Sequence, residues 1–276
     1  MKNKILFLVL IFFASLSLAS KPKIITSCTP VASIVSMLTE NIADVETIDT
    51  SYGCPHHYQI RPSDKEKIKN AQIFIFIDDN FDGFAGRLAE SFHGEVIKIS
   101  QLEKINFLGK NKKINWHFWL DLKNVLVLQD EISNVLLRHF PHLQNEILSN
   151  KKKAQEQISE LIELKQANLK GVSNLVILTD ILEHFLSDID NNNIKRLYQK
   201  QNSSLKSVSE LQSVLSQNRP LCLVIDTTEN IEKYQRFNKK IIQFEENWSV
   251  DKNKKDYAKL FYNKYIQMIF HLKHCR

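Results

Sequence analysis

Short apolar, β-branched runs alternate with helical patterns along most of this chain. Residues 73–77 (IFIFI) are apolar at every position, which is typical of a strand that a parallel sheet buries on both faces. Strand patterns that alternate with helical patterns predict βαβ units. The predicted strands cover residues 23–27, 45–48, 73–77 and 95–99, and later 175–178, 221–225 and 241–244. The chain is therefore predicted to be an α/β protein with parallel sheets.

A long polar helical pattern separates the two series of strands. Residues 142–169 are rich in Lys, Glu, Gln and Leu, and such a helix often spaces two domains. A coiled coil is the alternative, but too few heptads are sustained. We predict an N-terminal lobe at 20–141, a connecting helix at 142–170 and a C-terminal lobe at 171–276, with a cleft between the lobes.

The other helical patterns follow the strands. A Ser63–Glu66 capping box predicts the start of one helix, which runs to about residue 70. Residues 180–187 read as a helix, and the polar, asparagine-rich stretch 188–204 reads as a loop. Further helices are predicted at 31–41, 82–92, 124–139, 205–216, 231–237 and 256–274.

The first nineteen residues have the pattern of a secretory signal peptide. Two lysines precede an apolar run at residues 5–13, and Ser17 and Ala19 are small residues at the −3 and −1 positions of a cleavage site. A membrane anchor is the alternative, but the run is short for a bilayer core of about 30 Å. We expect an exported, periplasmic protein that does not span a membrane after processing. The formal charge of +6 comes from scattered lysines, which does not indicate a nucleic-acid surface.

Four cysteines follow the predicted cleavage site: Cys28, Cys54, Cys222 and Cys275. An even number of cysteines pairs readily in an oxidising compartment. Pairing Cys222, in a predicted core strand, with Cys275 would tie the chain end to that strand. Spacing alone does not exclude two unrelated thiols.

Two histidine-bearing segments each follow a predicted strand. They are PHHYQIRPSD at residues 55–64 and NWHFWLDLKN at residues 115–124. Loops at the carboxyl ends of strands collect ligands in open α/β sheets, and imidazole is the commonest protein ligand for zinc-like metals. Two converging loops of this kind would form half of a metal site.

Both segments resemble motifs of the metal-binding proteins of ABC importers. The first resembles P-H-x-Y-x-x-x-P-S-D, and the second resembles D-P-H-x-W-L-D-P-x-N without its two prolines. The resemblance implies two α/β lobes joined by one long helix. It also implies a monomeric, non-enzymatic protein that captures zinc or manganese and delivers it to an ABC permease.

The same resemblance implies the metal ligands. His56 and His117 match the two ligating histidines of the motifs. Thr179 stands where zinc binders have histidine and manganese binders have glutamate, so Asp180 is the candidate replacement, although an Asp there could equally cap a helix. Glu245 is the candidate acidic ligand, and Glu246 lies next to it.

The resemblance extends to the cysteines and to the loops around the site. The Cys222–Cys275 pair resembles a disulfide of the zinc branch, which favours Zn²⁺ over Mn²⁺ as the transported ion. Cys54 could bind metal or pair with Cys28. Tyr58 and Asp121 could support the metal ligands or be structural.

Two other functions stay open at this stage. An exported metallohydrolase would need a general base beside an open coordination position, and Glu246 is the candidate that the sequence offers. No nucleophile–base pair is apparent, so no catalytic residue is assigned. A divergent family member that has lost metal binding, and acts as an adhesin or partner-binding protein, is the second alternative because of Thr179.

Overall fold

Two four-stranded parallel sheets form the framework of the molecule. The computed structural model describes residues 21–48, 58–109, 112–189, 194–198, 205–246, 248, 250 and 256–275. The first sheet has the order β2-β1-β3-β4 and the second has the order β6-β5-β7-β8, and all their pairings are parallel. The strands are β1 Lys23–Thr26, β2 Asp44–Thr47, β3 Ile73–Phe76, β4 Glu95–Lys98, β5 Leu175–Ile177, β6 Ile194–Arg196, β7 Cys222–Asp226 and β8 Lys240–Phe244. The predicted α/β class is confirmed.

The helices pack around these sheets and between them. They are α1 Thr29–Thr39, α2 Pro62–Lys69, α3 Gly83–Ala89, α4 Leu122–His139, α5 Gln144–Leu169, α6 Leu205–Leu215, α7 Glu232–Gln235 and α8 Tyr257–Lys273. The long helix predicted at 142–169 is confirmed as α5, which lies between the two sheets in the chain. None of the helices in the described part of the chain is both long and apolar enough to cross a bilayer.

The C-terminal helix returns to the N-terminal half of the molecule. Helix α8 packs against α1 and α5. Within α8, Tyr265 is fully buried and its hydroxyl donates a 3.0 Å hydrogen bond to the carbonyl of Leu120. One apolar cluster therefore joins residues from both halves, and the lobe limits at residues 141 and 170 stay a prediction.

The start of α2 differs from the predicted capping box. Pro62 begins the helix, and Asp64, rather than Glu66, closes its first turn. The Asp64 carboxylate accepts hydrogen bonds of 2.8 Å from the backbone N–H of Arg61 and from the hydroxyl of Tyr58. The Ser63–Glu66 box was wrong because Pro62, whose fixed φ suits the first helical position, makes Arg61 the N-cap, two residues before Ser63.

Two predictions in the C-terminal half were also wrong. Residues 181–188 form successive turns instead of the helix predicted at 180–187, and the spacing of their buried apolar side chains is one that a short helix would also show. Part of the predicted loop at 188–204 forms the short strand β6, which pairs with β5 at the sheet edge. The polar sequence of β6 fits an edge position, where the strand pairs with a single neighbour.

The cysteines are divided between a bridge and a buried thiol. Cys222 and Cys275 form a disulfide, as predicted. Cys222 begins β7 beside Leu175, the first residue of β5. The bridge therefore lies where these strands begin, away from their carboxyl ends. Cys28 is a free, buried thiol, so the alternative of a bridge to Cys54 was wrong; Cys54 itself lies outside the described residues. Burial, with a contribution from the Asp82 carboxylate, raises the pKa of the Cys28 thiol to about 12.

We expect loss of the disulfide to destabilise the protein. The bridge closes a sequence separation of 53 residues. On the chain-entropy model, C275S should lower the free energy of unfolding by about 4 kcal/mol. In urea denaturation, the reduced wild type should show a similar decrease in the free energy of unfolding. Adding reductant to C275S should cause no further decrease. An additional loss in reduced C275S would contradict this explanation.

Lys165 is buried and pairs with an acidic residue. Lys165 on α5 is 3% exposed, and its ammonium pairs with Asp188 and lies 4.8 Å from the ring centroid of Phe185. Burial lowers the pKa of the Lys165 amine, although Asp188 opposes that shift. The pair links the connecting helix to the segment that follows β5.

Removing only the acidic partner should therefore destabilise the fold. D188N leaves a buried ammonium group unpaired, and we expect a loss of about 2 kcal/mol because Asp188 is itself partly solvated. The double variant K165M/D188N should recover most of that loss, since no charge remains buried. Equal stability of D188N and wild type in urea denaturation would contradict this expectation.

Candidate metal centre

His117 lies in a loop, and two aromatic side chains pack against its ring. The loop follows an antiparallel bridge between Leu108 and Ile114 and precedes α4. The imidazole is 9% exposed, and its ring centroid lies 6.3 Å from that of Phe81 and 5.4 Å from that of Trp119. Edge contacts with two aromatic rings restrict the imidazole to a narrow range of orientations.

Asn115 keeps a proton on Nδ1 of His117. The Asn115 side-chain oxygen accepts a 3.0 Å bond from the His117 backbone N–H and lies 2.8 Å from Nδ1 of its ring. An amide oxygen can only accept, so Nδ1 must be the donor. The other ring nitrogen, Nε2, is then the one that can present a lone pair to a metal.

Nε2 of His117 faces a carboxylate from the far half of the chain. Its partner is Oε1 of Glu246, at 3.2 Å, just after β8. The neighbouring Glu245 forms a 3.1 Å ion pair with Lys264 of α8. The sequence favoured Glu245 as the acidic ligand, but the geometry favours Glu246.

The structure brings the Thr179–Asp180 turn next to Asn115. Thr179 follows β5, is 9% exposed, and its hydroxyl accepts a 3.3 Å bond from the N–H of Ile181. The Asp180 side chain is exposed, and its backbone carbonyl accepts a 2.8 Å bond from Nδ2 of Asn115. Asn115, Thr179 and Asp180 line one cavity of about 450 Å³.

A second, smaller cavity is lined by Glu246. Its volume is about 220 Å³, and Trp119, Glu245 and Glu246 are among its lining residues. The two ring nitrogens of His117 therefore face a residue of each cavity, Asn115 of the first and Glu246 of the second.

A second histidine was not assigned to the site from the sequence. His184 is 2% exposed, and its Nε2 lies 3.0 Å from the backbone carbonyl of Asn115. Burial is the main cause that lowers the pKa of His184. A carbonyl only accepts, so Nε2 donates, and His184 supports the backbone of the His117 loop instead of facing a ligand.

The first histidine segment is described only from its C-terminal end. His56 and His57 lie outside the described residues. Tyr58 anchors the segment, because its hydroxyl bonds to Asp64 and its ring centroid lies 4.8 Å from that of Phe84.

The polar groups of the two candidate supporting residues have structural partners. The hydroxyl of Tyr58 is bonded to Asp64, at the start of α2. Asp121 caps α4 by accepting a 2.9 Å bond from the N–H of Lys123. In the described ranges, these two contacts stabilise the starts of helices α2 and α4.

Within the part of the chain that the structure describes, no three His, Cys, Asp or Glu side chains come together as a metal-binding group. The described half of the candidate site is the pair His117 and Glu246, one imidazole nitrogen and one carboxylate oxygen. These are donor types that zinc commonly accepts. The ligand roles of His56, His117, Asp180 and Glu245 stay predictions.

Asn115 is the residue that sequence reasoning missed. It begins the second histidine motif, at a position where the motif has aspartate, and that substitution was the available signal. Its function depends on contacts with residues 65 and 68 positions further along the chain, which spacing could not reveal.

Comparison with known proteins places the chain among metal-binding proteins. A family model described as "ZnuA: Zinc-uptake complex component A periplasmic" matches residues 24–271. An uncharacterized protein of Rickettsia prowazekii (strain Madrid E) is 34% identical over 99% of this chain and 90% of its own length. A high-affinity zinc uptake system protein ZnuA of Haemophilus ducreyi is 27% identical over 30% of this chain and 26% of its own length.

Solved structures share the fold at low sequence identity. The periplasmic zinc-binding protein TroA from Treponema pallidum matches with a TM-score of 0.75 at 14% identity, over 93% of this chain and 99% of that one. FpvC from Pseudomonas aeruginosa, solved in complex with Ni²⁺, matches with a TM-score of 0.70 at 16% identity, over 92% of this chain and 98% of that one. The family resemblance read from the two histidine motifs is confirmed, and the chain belongs to the ZnuA family of metal-binding solute-binding proteins.

Proposed function

We propose that this protein captures a divalent transition metal, zinc in the first place, and delivers it to an ABC permease. The proposal includes export through the N-terminal signal sequence, cleavage near Ala19 and action as a periplasmic monomer. The observation that carries it is the approach of Nε2 of His117 to a carboxylate oxygen of Glu246 at 3.2 Å. Relatives in the family are named for zinc uptake, which supports zinc as the cargo.

The separation of these two atoms suits a shared ion. Zinc lies about 2.0–2.2 Å from its nitrogen and oxygen ligands, so two ligands at a tetrahedral angle are about 3.4 Å apart. The observed 3.2 Å is close to that value. Little rearrangement of His117 or Glu246 would therefore be needed to accept the ion.

His56 would supply a second imidazole, and Asp180 is the candidate for a further oxygen. Two imidazoles with one or two carboxylates suit Zn²⁺, whereas Mn²⁺ prefers a set richer in oxygen. No reaction is needed for this function, because the cargo is bound and released unchanged.

Thr179 supports the alternative that metal binding has been lost. Its hydroxyl already accepts a backbone hydrogen bond from Ile181, and a neutral hydroxyl is a weak ligand. On this alternative, the protein would act as an adhesin or a partner-binding protein.

The neighbouring glutamates allow a matched test of the carboxylate ligand. We expect E246Q to weaken Zn²⁺ binding by more than about 100-fold, since loss of a direct ligand should exceed the usual cost of losing an outer partner. E245Q should change affinity by less than about threefold, because Glu245 pairs with Lys264. Isothermal titration of the metal-stripped protein measures both. The reverse order would assign the ligand to Glu245.

The adjacent histidines allow the same comparison at the first motif. H56A and H117A should each abolish tight, stoichiometric Zn²⁺ binding and the accompanying rise in melting temperature, while H57A should retain both. Parallel titrations with Mn²⁺ and Ni²⁺ rank the cargo ions. Absence of Zn²⁺, Mn²⁺ and Ni²⁺ binding by the wild type would leave the partner-binding alternative in place.

A further inference from the structure

We propose that Asn115 is a positioning residue that couples the orientation of His117 to contact between the two halves of the molecule. The oxygen of its side-chain amide accepts hydrogen bonds from His117, and the amide nitrogen donates to the turn that follows β5. We call these contacts, from Asn115 to His117, Asp180, Glu183 and His184, the Asn115 latch. Its effect on metal release rests on the proposed function, but the latch itself does not.

The oxygen end of the amide acts on His117. It accepts from both the backbone N–H and Nδ1 of that residue, at 3.0 and 2.8 Å. Both donors are within one residue, so the oxygen fixes the ring relative to its own backbone. Asn115 is 6% exposed, which leaves little water to replace this acceptor.

The nitrogen end of the amide acts on the C-terminal half. Nδ2 donates to the carbonyl of Asp180 at 2.8 Å and reaches Oε2 of Glu183 at 3.4 Å. Both partners are acceptors, so only a donor satisfies this side. An amide is the one side-chain group of this size that accepts at one end and donates at the other.

The backbone of Asn115 adds a third contact across the same boundary. Its carbonyl accepts a 3.0 Å hydrogen bond from Nε2 of the buried His184. The loop also approaches Glu183 closely at Gly109, where an added Cβ would lie 2.0 Å from Oε2 of that glutamate. Gly109 therefore allows the loop and the turn to meet.

The latch has a mechanical consequence. Movement of the turn away from the His117 loop would remove the acceptors of Nδ2, and the amide could then rotate. Rotation would take the oxygen away from Nδ1, so separation of the halves and loosening of a metal ligand would occur together.

The experiment replaces the donor and keeps the acceptor. N115D still offers an oxygen to Nδ1 of His117, but it places a carboxylate against the carbonyl of Asp180 and the carboxylate of Glu183. N145D makes the same chemical change at an exposed position on α5 and is the matched control. Like-charge contacts and a lost donor should open the latch while leaving the histidine acceptor in place.

We measure hydrogen–deuterium exchange and Zn²⁺ dissociation on the full processed chain. For N115D we expect exchange in residues 112–117 and 180–187 to rise about tenfold, corresponding to loss of one or two hydrogen bonds. Zinc dissociation should become about tenfold faster, within the usual range for loss of an outer partner. N145D should show wild-type exchange and a wild-type rate of zinc dissociation.

A second substitution provides a rescue. In N115D/E183Q the amide at position 183 can donate to the new carboxylate, so exchange and dissociation should return toward wild-type values. E183Q alone should change little, because its amide oxygen can still accept from Asn115. Recovery in the double variant also separates loss of the latch from a general folding defect.

The tautomer of His117 gives a third readout. Long-range ¹H–¹⁵N spectra should show Nδ1–H in the metal-free wild type and in N115D. In N115A the Nε2–H form should gain population, because no acceptor faces Nδ1 while the Glu246 carboxylate still faces Nε2.

Two results would contradict the proposed role of Asn115. One is hydrogen–deuterium exchange in N115D at the wild-type rate, and the other is failure of E183Q to return exchange and dissociation in N115D toward wild-type values. Failure of the wild type to bind zinc would contradict the proposed function alone, because exchange and tautomer are measured without metal.

Discussion

Parallel strand pairing is the constraint on which the rest of this structure depends. In each sheet all strands run in one direction, so the loops that follow them leave from one edge. The His117 loop follows β4, the Thr179 turn follows β5, and Glu246 follows β8. These segments are more than 60 residues apart in the chain, yet parallel pairing brings them to a common region. The disulfide lies at the other edge, where it stabilises the fold without entering the site.

The candidate site is built from side chains with more than one partner. His117 is held by aromatic edges, by Asn115 on one nitrogen and by Glu246 on the other. A ligand fixed in this way loses little conformational freedom when it binds an ion, which favours affinity. The same arrangement makes the site dependent on contact between the two halves, since Glu246 and the residues bonded to Nδ2 and to the backbone carbonyl of Asn115 belong to the C-terminal half.

Strand and helix types were predictable because their patterns are local. Full apolarity of residues 73–77 indicated a buried parallel strand, and the long polar pattern before residue 170 indicated the connecting helix. Strand β6 was missed because an edge strand of three residues with two charges has no distinctive pattern. The turns at 181–188 were missed because their buried apolar residues follow a spacing that a short helix would also show.

The sequence by itself determined the α/β class, the family and the identity of His117 as a candidate ligand, since each depends on residue order and spacing. Only the tertiary structure decided that Glu246 faces His117 while Glu245 pairs with Lys264. Adjacent side chains at a strand end point in different directions, so the choice depends on where α8 lies. The role of Asn115 was likewise decided in three dimensions, because an amide has two ends and its partners are remote in the chain.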